Sequence, residues 1–301
     1  MILFCDFNPK VVRKYIISEE DNVIDKTEIY PSGLGVEMAT FVKNIGSDTE
    51  VLLLKGTEIG DELIEKLKSL GVMTSSVKLK DDNVEEIIIK KQDKSESYRT
   101  KSPRITMEDK NELFAKFEDA VINKNIVVIP KIDHASLDSS IYEKMVKFCY
   151  DKNIKVAINP SNIKEVENLK PYILFLDKYD LERDISLEYT GEVLKMSEGL
   201  LKKGSGVVIV NSKRNTIIST KEKNYRAYLN KKKMEKDVLL EKFNTSFALA
   251  GLSVGIDRDY DFVTSIKLSV ACGVYDNFAE DMELDMSSIK KLMNSIEVEE
   301  I

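Results

Sequence analysis

The chain has 301 residues, of which 43% are apolar and 32% are charged, and its formal net charge is −7 at neutral pH. This composition is typical of a globular protein and excludes a largely disordered chain. The acidic excess argues against nucleic acid as a partner, because phosphate binding needs a basic surface. With no apolar run of roughly eighteen residues, the sequence also predicts no membrane span.

The N-terminus and the cysteines indicate a cytoplasmic protein. Residues 1–7 are apolar without a basic leader, so they predict a buried first strand rather than a signal peptide. Cys5, Cys149 and Cys272 are widely spaced, which indicates neither a metal site nor a disulfide framework.

Short apolar runs alternate with amphipathic segments. The predicted strands after the first are 51–54, 126–129, 156–158, 173–176 and 207–210, and the predicted helices between them are 61–70, 137–152 and 188–203. Strands that are apolar throughout are buried on both faces, as in a parallel sheet covered by helices. The pattern therefore predicts a single doubly wound α/β domain over residues 1–301.

Two segments interrupt this rhythm. Residues 11–30 and 84–101 are polar and rich in β-forming residues, and they predict a small projecting sheet. Such a sheet needs a partner for its apolar face, because isolated ribbons are marginal in water. It would serve as a lid, a dimer clasp, or both. The C-terminal third predicts helices over 236–255, 262–278 and 286–296.

An ordered set of short motifs covers nearly the whole chain. They are Asn8-Pro9, the glycine loop 31–39, the glycine segment 56–60, the acidic segment 177–180 and the segment 241–244. In this order they resemble the PfkB (ribokinase-like) carbohydrate kinases, in the branch that contains 1-phosphofructokinase and tagatose-6-phosphate kinase. The resemblance implies a three-layer sandwich with a mostly parallel sheet, a β lid that mediates homodimerisation, and phosphorylation of a hexose phosphate, such as fructose 1-phosphate or tagatose 6-phosphate, by ATP and Mg²⁺.

The catalytic motif of the family departs furthest from its pattern here. Asn244 stands at the position of the aspartate base, and an amide cannot accept a proton at neutral pH. Glu241 and Phe243 stand at the glycines of the anion hole, where they bring negative charge and bulk against a phosphate. We expect Asn244 instead to cap the helix that follows it.

The nucleotide and metal motifs are also altered. Ser212, Lys213 and Asn215 occupy the nucleotide turn, which lacks both glycines of the family and predicts an exposed hairpin tip. Asp177 and Asp180 stand for the family's Asn-x-x-Glu. They would either hold Mg²⁺ through water or serve only as residues at a helix start.

On the substrate side, the resemblance assigns seven positions. They are Val12, Gly33, Leu34, Gly35, Glu37, Val84 and Glu86. A sugar phosphate needs cations and hydrogen-bond donors, which Leu34, Glu37 and Val84 do not offer.

Three hypotheses follow. The preferred one is a catalytically impaired or inactive relative, retained to bind a sugar phosphate, a nucleotide or a protein, since the altered groups act as a unit. The second is an active kinase that uses ATP and Mg²⁺, with Glu241 or Asp237 as the base. The third is a structural homodimer that needs no cofactor.

Overall fold

The computed structural model describes residues 1–18, 23–92, 94–181, 190–212, 215–234 and 240–301. Its strands are β1 (Ile2–Asp6), β2 (Lys10–Ile17), β3 (Ile24–Ser32), β4 (Thr49–Lys55), β5 (Met73–Lys78), β6 (Val84–Lys91), β7 (Lys94–Arg99), β8 (Ile126–Ile129), β9 (Val156–Ile158), β10 (Ile173–Asp177), β11 (Val207–Asn211), β12 (Thr216–Ser219), β13 (Asn224–Leu229) and β14 (Ile296–Glu300). Its helices are α1 (Leu34–Asn44), α2 (Glu58–Ser69), α3 (Met107–Ala120), α4 (Ser140–Asp151), α5 (Lys178–Leu181), α6 (Thr190–Lys203), α7 (Thr245–Asp257), α8 (Phe262–Val274) and α9 (Met286–Asn294).

The described strands form a large central sheet in the order β14-β13-β12-β11-β10-β9-β8-β1-β4-β5. Pairing is parallel from β5 to β11 and antiparallel from β11 to β14. Alternate residues of each strand face opposite layers: Phe4 packs with α1, α7 and α8, whereas Leu3 packs with α3, α4 and α6. This arrangement confirms the predicted α/β sandwich with a mostly parallel sheet.

Strand order reverses beside β1. From β1 the chain adds β4 and β5 on one side, and it later adds β8 to β11 on the other. Loops that leave the carboxyl ends of β1 and β8 therefore diverge, and an open α/β sheet binds its ligands in the crevice at such a switch point.

A second sheet, in the order β3-β2-β6-β7, rises beside this crevice and is called the lid sheet below. Its strands fall on the two segments in which the sequence predicts a small sheet. Arg13 ties the lid sheet to the main body, because its guanidinium binds Glu62 of α2 at 2.5 Å and also Glu85 of β6. A closing movement of this sheet stays a prediction.

Some predicted boundaries are wrong. Residues 236–239 of the predicted helix 236–255 lie outside the described residues, residues 240–244 are not helical, and α7 begins at Thr245. The predicted helix 286–296 ends at Asn294, because Ile296 starts a strand that pairs with β13. None of the helices in the described part of the chain has the length and hydropathy needed to span a membrane.

Candidate functional site

Two clefts open at the carboxyl edge of the main sheet. The first, called the switch-point pocket, has a volume of about 200 Å³ and lies between the β1 and β8 loops, α1 and the lid sheet. The second, called the β10–β11 cleft, has a volume of about 310 Å³. The switch-point pocket is lined by Asn8, Lys10, Ser32, Gly33, Leu34, Glu37, Val84, Arg99 and Asp133, among others. The β10–β11 cleft is lined by Asp177, Tyr179, Asn211, Ser212, Glu241, Lys242 and Phe243.

Asp6 supports the glycine loop at the floor of the switch-point pocket. Its carboxylate accepts the backbone N–H of Val36 at 2.9 Å and that of Asn8 at 3.1 Å. Gly33 has a φ of 132°, and a Cβ there would lie 2.4 Å from Asp6 Oδ2, so only glycine fits. Burial raises the pKa of Asp6 to about 7, opposed by the Val36 N–H and reinforced by the charge of Asp133.

Asp6 was not identified from the sequence as a site residue. The sequence feature that could have identified Asp6 is its position, because it is an acidic residue that ends a buried strand immediately before Phe7-Asn8-Pro9. An acid in that position is unusual, because charged side chains are rarely buried without hydrogen-bond partners. One partner, the Asn8 N–H, is local, but the other, the Val36 N–H, belongs to α1 and lies thirty residues further along the chain.

Lys10 and Arg99 give the switch-point pocket two cations. Neither was identified from the sequence, because only the positions that match the family motif were considered. Lys10 Nζ lies 2.5 Å from Glu86 Oε2, and Arg99 Nη2 lies 2.7 Å from Glu86 Oε1. Both cations reach Glu86 because β2, β6 and β7 are adjacent in the lid sheet.

The other predicted substrate positions divide into two groups. Gly33, Leu34, Glu37 and Val84 line the switch-point pocket. Glu37 accepts a hydrogen bond from the Ser32 hydroxyl at 2.6 Å. Val12 is buried in the lid sheet, and Gly35 packs against β1, where a Cβ would lie 2.2 Å from the Cys5 carbonyl oxygen. Neither of these two residues is among those that line the pocket.

Asp177 lies at the end of β10 in the β10–β11 cleft. Its Oδ1 accepts the Tyr179 N–H at 2.8 Å, and its Oδ2 accepts the Thr245 hydroxyl. Asp180 lies in α5, but its side chain is outside the described residues.

A magnesium ion implied by the family fits these residues poorly. Both oxygens of Asp177 are already hydrogen-bonded, and Mg²⁺ requires near-ideal octahedral geometry. Within the described part of the chain, no group of three or more His, Cys, Asp or Glu side chains converges on one point. Asp177 thus joins β10 to the start of α7, and a water-mediated Mg²⁺ site at Asp177 and Asp180 stays a prediction.

The nucleotide turn closes on itself. Ser212 Oγ donates to the Asn215 carbonyl at 2.8 Å, and the Ser212 N–H donates to the same oxygen at 2.9 Å. Lys213 lies outside the described residues. The Ser212 hydroxyl and N–H and the Asn215 carbonyl are therefore hydrogen-bonded to each other between β11 and β12.

Beside this turn, Asn211 carries a buried amide that was not identified from the sequence. The residue is 1% exposed, and its Oδ1 accepts the Thr216 hydroxyl at 2.9 Å. Its Nδ2 has no hydrogen-bond partner among the residues that the structure describes. An unsatisfied buried donor is costly, so this amide offers a ligand in the β10–β11 cleft a ready hydrogen bond.

The Asn277 side chain, which lies further along the chain, forms hydrogen bonds with the backbone of the segment 241–244. The Asn277 Oδ1 accepts the backbone N–H groups of Glu241 and Lys242 at 3.0 and 3.1 Å. Its Nδ2 donates to the Lys242 and Val274 carbonyls, each at 2.8 Å. Two backbone amides at the position of the family's anion hole are therefore already satisfied by a side chain.

Phe243 and Asn244 complete the same segment. The ring of Phe243 packs on Gly273 of α8, where a Cβ would meet its Cζ at 2.5 Å. Asn244 Oδ1 accepts the Phe247 N–H at 3.0 Å, which confirms its predicted role as the N-cap of α7. Asn244 Nδ2 donates to Asp276 Oδ2 at 2.9 Å, so its side chain is fully engaged.

Comparison with known proteins agrees with this fold. The sequence model described as pfkB family carbohydrate kinase matches residues 3–234. A curated 1-phosphofructokinase from Borreliella burgdorferi is 22% identical over 311 aligned positions, which cover 100% of this chain and 99% of the relative. The chain therefore belongs to the pfkB family of carbohydrate kinases.

Solved structures show the same architecture at low identity. A Staphylococcus aureus protein provisionally described as a phosphofructokinase superimposes with a TM-score of 0.85 at 19% identity, covering 100% of this chain and 99% of the other. A possible 1-phosphofructokinase from Thermotoga maritima gives a TM-score of 0.83 at 18% identity, with the same coverage. At these identities the structural likeness shows the fold alone.

Proposed function

We propose that this pfkB-family protein binds ligands in its two clefts but transfers phosphoryl groups slowly or not at all. The observation that carries the proposal is the segment 241–244. Its amides at Glu241 and Lys242 bind Asn277, the Phe243 ring packs on Gly273, and Asn244 caps α7. Asn244 itself cannot act as the base, because its side chain is an amide.

The ancestral reaction would be ATP-dependent phosphorylation of a hexose phosphate such as fructose 1-phosphate or tagatose 6-phosphate, with Mg²⁺ bound to the nucleotide. The likeness to the Borreliella burgdorferi 1-phosphofructokinase supports this origin. Phosphoryl transfer depends on positioning and on electrostatic stabilisation of the transferred group. Glu241 in the β10–β11 cleft opposes such stabilisation, because its carboxylate repels a nucleotide phosphate.

Turnover of ATP with fructose 1-phosphate and with tagatose 6-phosphate tests the proposal. Loss of a general base alone lowers the rate by roughly two to four powers of ten. We expect turnover at least about a thousandfold below that of the Borreliella burgdorferi relative assayed in parallel. Comparable turnover that survives stringent purification would refute the proposed impairment.

An active kinase with an altered site is the second candidate, and the position of Glu241 favours it. Glu241 lines the same cleft as Asp177 and lies three residues before Asn244, so its carboxylate is a candidate replacement base. Asp237, the other candidate, lies outside the described residues. Under this hypothesis, Glu241→Gln abolishes turnover, whereas Glu112→Gln on the exposed side of α3 leaves turnover unchanged.

We also propose a homodimer through the lid sheet in a reducing cytoplasm. The lid residues Ile24, Ile29, Tyr30 and Tyr98 are between 38% and 55% exposed. Ile29 and Tyr98 share one face of the lid sheet and Tyr30 lies on the other, and exposed apolar side chains of this kind favour a partner. The three cysteines are buried free thiols, which supports a reducing compartment. Light scattering would then give a dimer mass for the native chain and a monomer mass for Tyr30→Glu.

A further inference from the structure

The two cations of the switch-point pocket are already bound to one carboxylate. Glu86 accepts hydrogen bonds from Lys10 at 2.5 Å, from Arg99 at 2.7 Å and from the Ser97 hydroxyl at 2.8 Å. Glu86 is only 5% exposed. Burial opposes its charge, but these hydrogen bonds outweigh burial and lower the pKa of Glu86 to about 2. The carboxylate is therefore ionised and fully engaged.

The charges around the pocket favour an uncharged ligand. Two cations, Lys10 and Arg99, face three carboxylates, those of Glu86, Glu37 and Asp133. A phosphate dianion would add negative charge beside Glu37 and Asp133. To bind that phosphate, Lys10 or Arg99 would have to weaken its contact with Glu86. The Glu86 side chain is only 7% exposed, and a buried carboxylate that loses a cation is left with an uncompensated charge.

Sugar hydroxyls meet no such obstacle. Carboxylates of Glu37 and Asp133 accept hydrogen bonds from hydroxyl groups, and the Ser32 hydroxyl and Asn8 side chain add further polar atoms to the pocket wall. A ligand of this kind leaves the Lys10–Glu86–Arg99 cluster intact. The pocket is small, at about 200 Å³, which suits a monosaccharide better than a larger ligand.

We propose that Glu86 determines the ligand class of the switch-point pocket: by holding Lys10 and Arg99, it excludes a sugar phosphate and selects an unphosphorylated sugar. The inference rests on the proposed function in one respect, that the pocket binds a ligand. It departs from the ancestral reaction, in which the sugar already carries a phosphate.

The lid sheet contains a matched control for this residue. Glu28 of β3 also binds two cations, Lys14 at 2.9 Å and Lys26 at 2.6 Å. It lies two strands from Glu86 in the same sheet, and it is not among the residues that line the pocket. Glu28→Gln therefore makes the same change in net charge and frees two cations at a different place.

Calorimetric titration of the full chain with fructose, fructose 1-phosphate and inorganic phosphate tests the proposal. The native protein should bind fructose at least about tenfold more tightly than fructose 1-phosphate, a difference of about 1.4 kcal/mol. Glu86→Gln should raise the affinity for fructose 1-phosphate and for inorganic phosphate at least about tenfold, because it frees both cations. Glu28→Gln should leave all three affinities within about twofold.

A second variant covers the case in which Glu86→Gln does not fold. Glu37 is exposed, and Glu37→Gln removes one pocket carboxylate without changing the ion pairs of Glu86. The ratio of the affinity for fructose to the affinity for fructose 1-phosphate should therefore fall about three- to fivefold. A native preference for fructose 1-phosphate, or a Glu86→Gln protein that folds without gaining phosphate affinity, would overturn the proposal. If the native protein binds neither sugar, the proposed ligand-binding function is wrong. In that case a gain of phosphate binding by Glu86→Gln would still support the role of Glu86.

Discussion

Restoring the family's aspartate at Asn244 should destabilise this protein. In the native structure Asn244 Oδ1 caps α7 through the Phe247 N–H, and Asn244 Nδ2 donates to Asp276 Oδ2 at 2.9 Å. Asn244→Asp keeps an oxygen for the cap. It also replaces the donor with a second carboxylate oxygen that faces the carboxylate of Asp276.

The magnitude follows from three terms. Loss of an exposed hydrogen bond to a charged acceptor costs about 1 kcal/mol. Two like charges at about 4 Å repel by about 1 kcal/mol when water screens them. A negative charge at the start of a helix recovers about 0.5 kcal/mol through the helix dipole. We therefore expect a net loss of about 1–2 kcal/mol in the free energy of unfolding.

Urea unfolding measures this loss, and a second substitution tests its cause. In the double variant Asn244→Asp with Asp276→Asn, the donor and acceptor exchange places. The pair is restored, and at least about 1 kcal/mol of stability should return. A single variant as stable as the native chain, or a double variant less stable than the single one, would refute the reasoning.

The same variant separates the missing base from the missing anion hole. Phe243 still packs on Gly273 and Asn277 still binds the amides of Glu241 and Lys242 after Asn244→Asp. We therefore expect ATP turnover to rise less than about tenfold. A rise of more than about a hundredfold would show that the aspartate alone was lacking.

Three further predictions concern the supports of the two clefts. The pKa of Asp6 is raised to about 7, so between about pH 4 and pH 7 the folded chain holds a proton that the unfolded chain has released. The free energy of unfolding should therefore fall by up to about 1.4 kcal/mol per pH unit between about pH 5 and 6. It should level off above about pH 7. Asp6→Asn should flatten that slope in urea unfolding, and an unchanged slope would rule Asp6 out as its source. Gly273→Ala should lower the free energy of unfolding by about 1–3 kcal/mol, because the added methyl group overpacks against Phe243. Adding Phe243→Leu to the same chain should recover part of that loss. Strictly additive losses from the two substitutions would contradict the contact. Asn277→Ala should lower the free energy of unfolding by about 1–3 kcal/mol and speed hydrogen exchange at the Glu241 and Lys242 amides. If these amides stay as protected from exchange as in the native chain, groups other than Asn277 hold them.

Apolar runs in the sequence were sufficient to predict six strands of the main sheet, which are β1, β4, β8, β9, β10 and β11. Val127 and Val128 belong to a strand with all four residues buried, as its uninterrupted apolar run predicts. The lid segments are less apolar, and their predicted sheet depended on β-forming residues such as Ile87–Ile89. The strand at Ile296–Glu300 was missed, because only its pairing with β13 distinguishes it from the end of a helix.

For the candidate sites, the sequence by itself determined what is local. Asn244 caps α7 through a hydrogen bond to a residue three positions away. That Phe243 opposes a phosphate turn stays a prediction from the sequence. Such effects depend on neighbours along the chain, so they can be read from a few consecutive residues.

Tertiary structure decided the contacts that give each cleft its chemistry. Lys10 and Glu86 are 76 positions apart, and they meet because β2 and β6 pair in one register of the lid sheet. Asn277 reaches the Glu241 amide from 36 positions away, and Asp6 is buried beneath a loop that begins near Gly33. A hydrogen bond or an ion pair acts over a few ångströms, so strand register and helix packing, rather than residue type, determine which of these side chains meet.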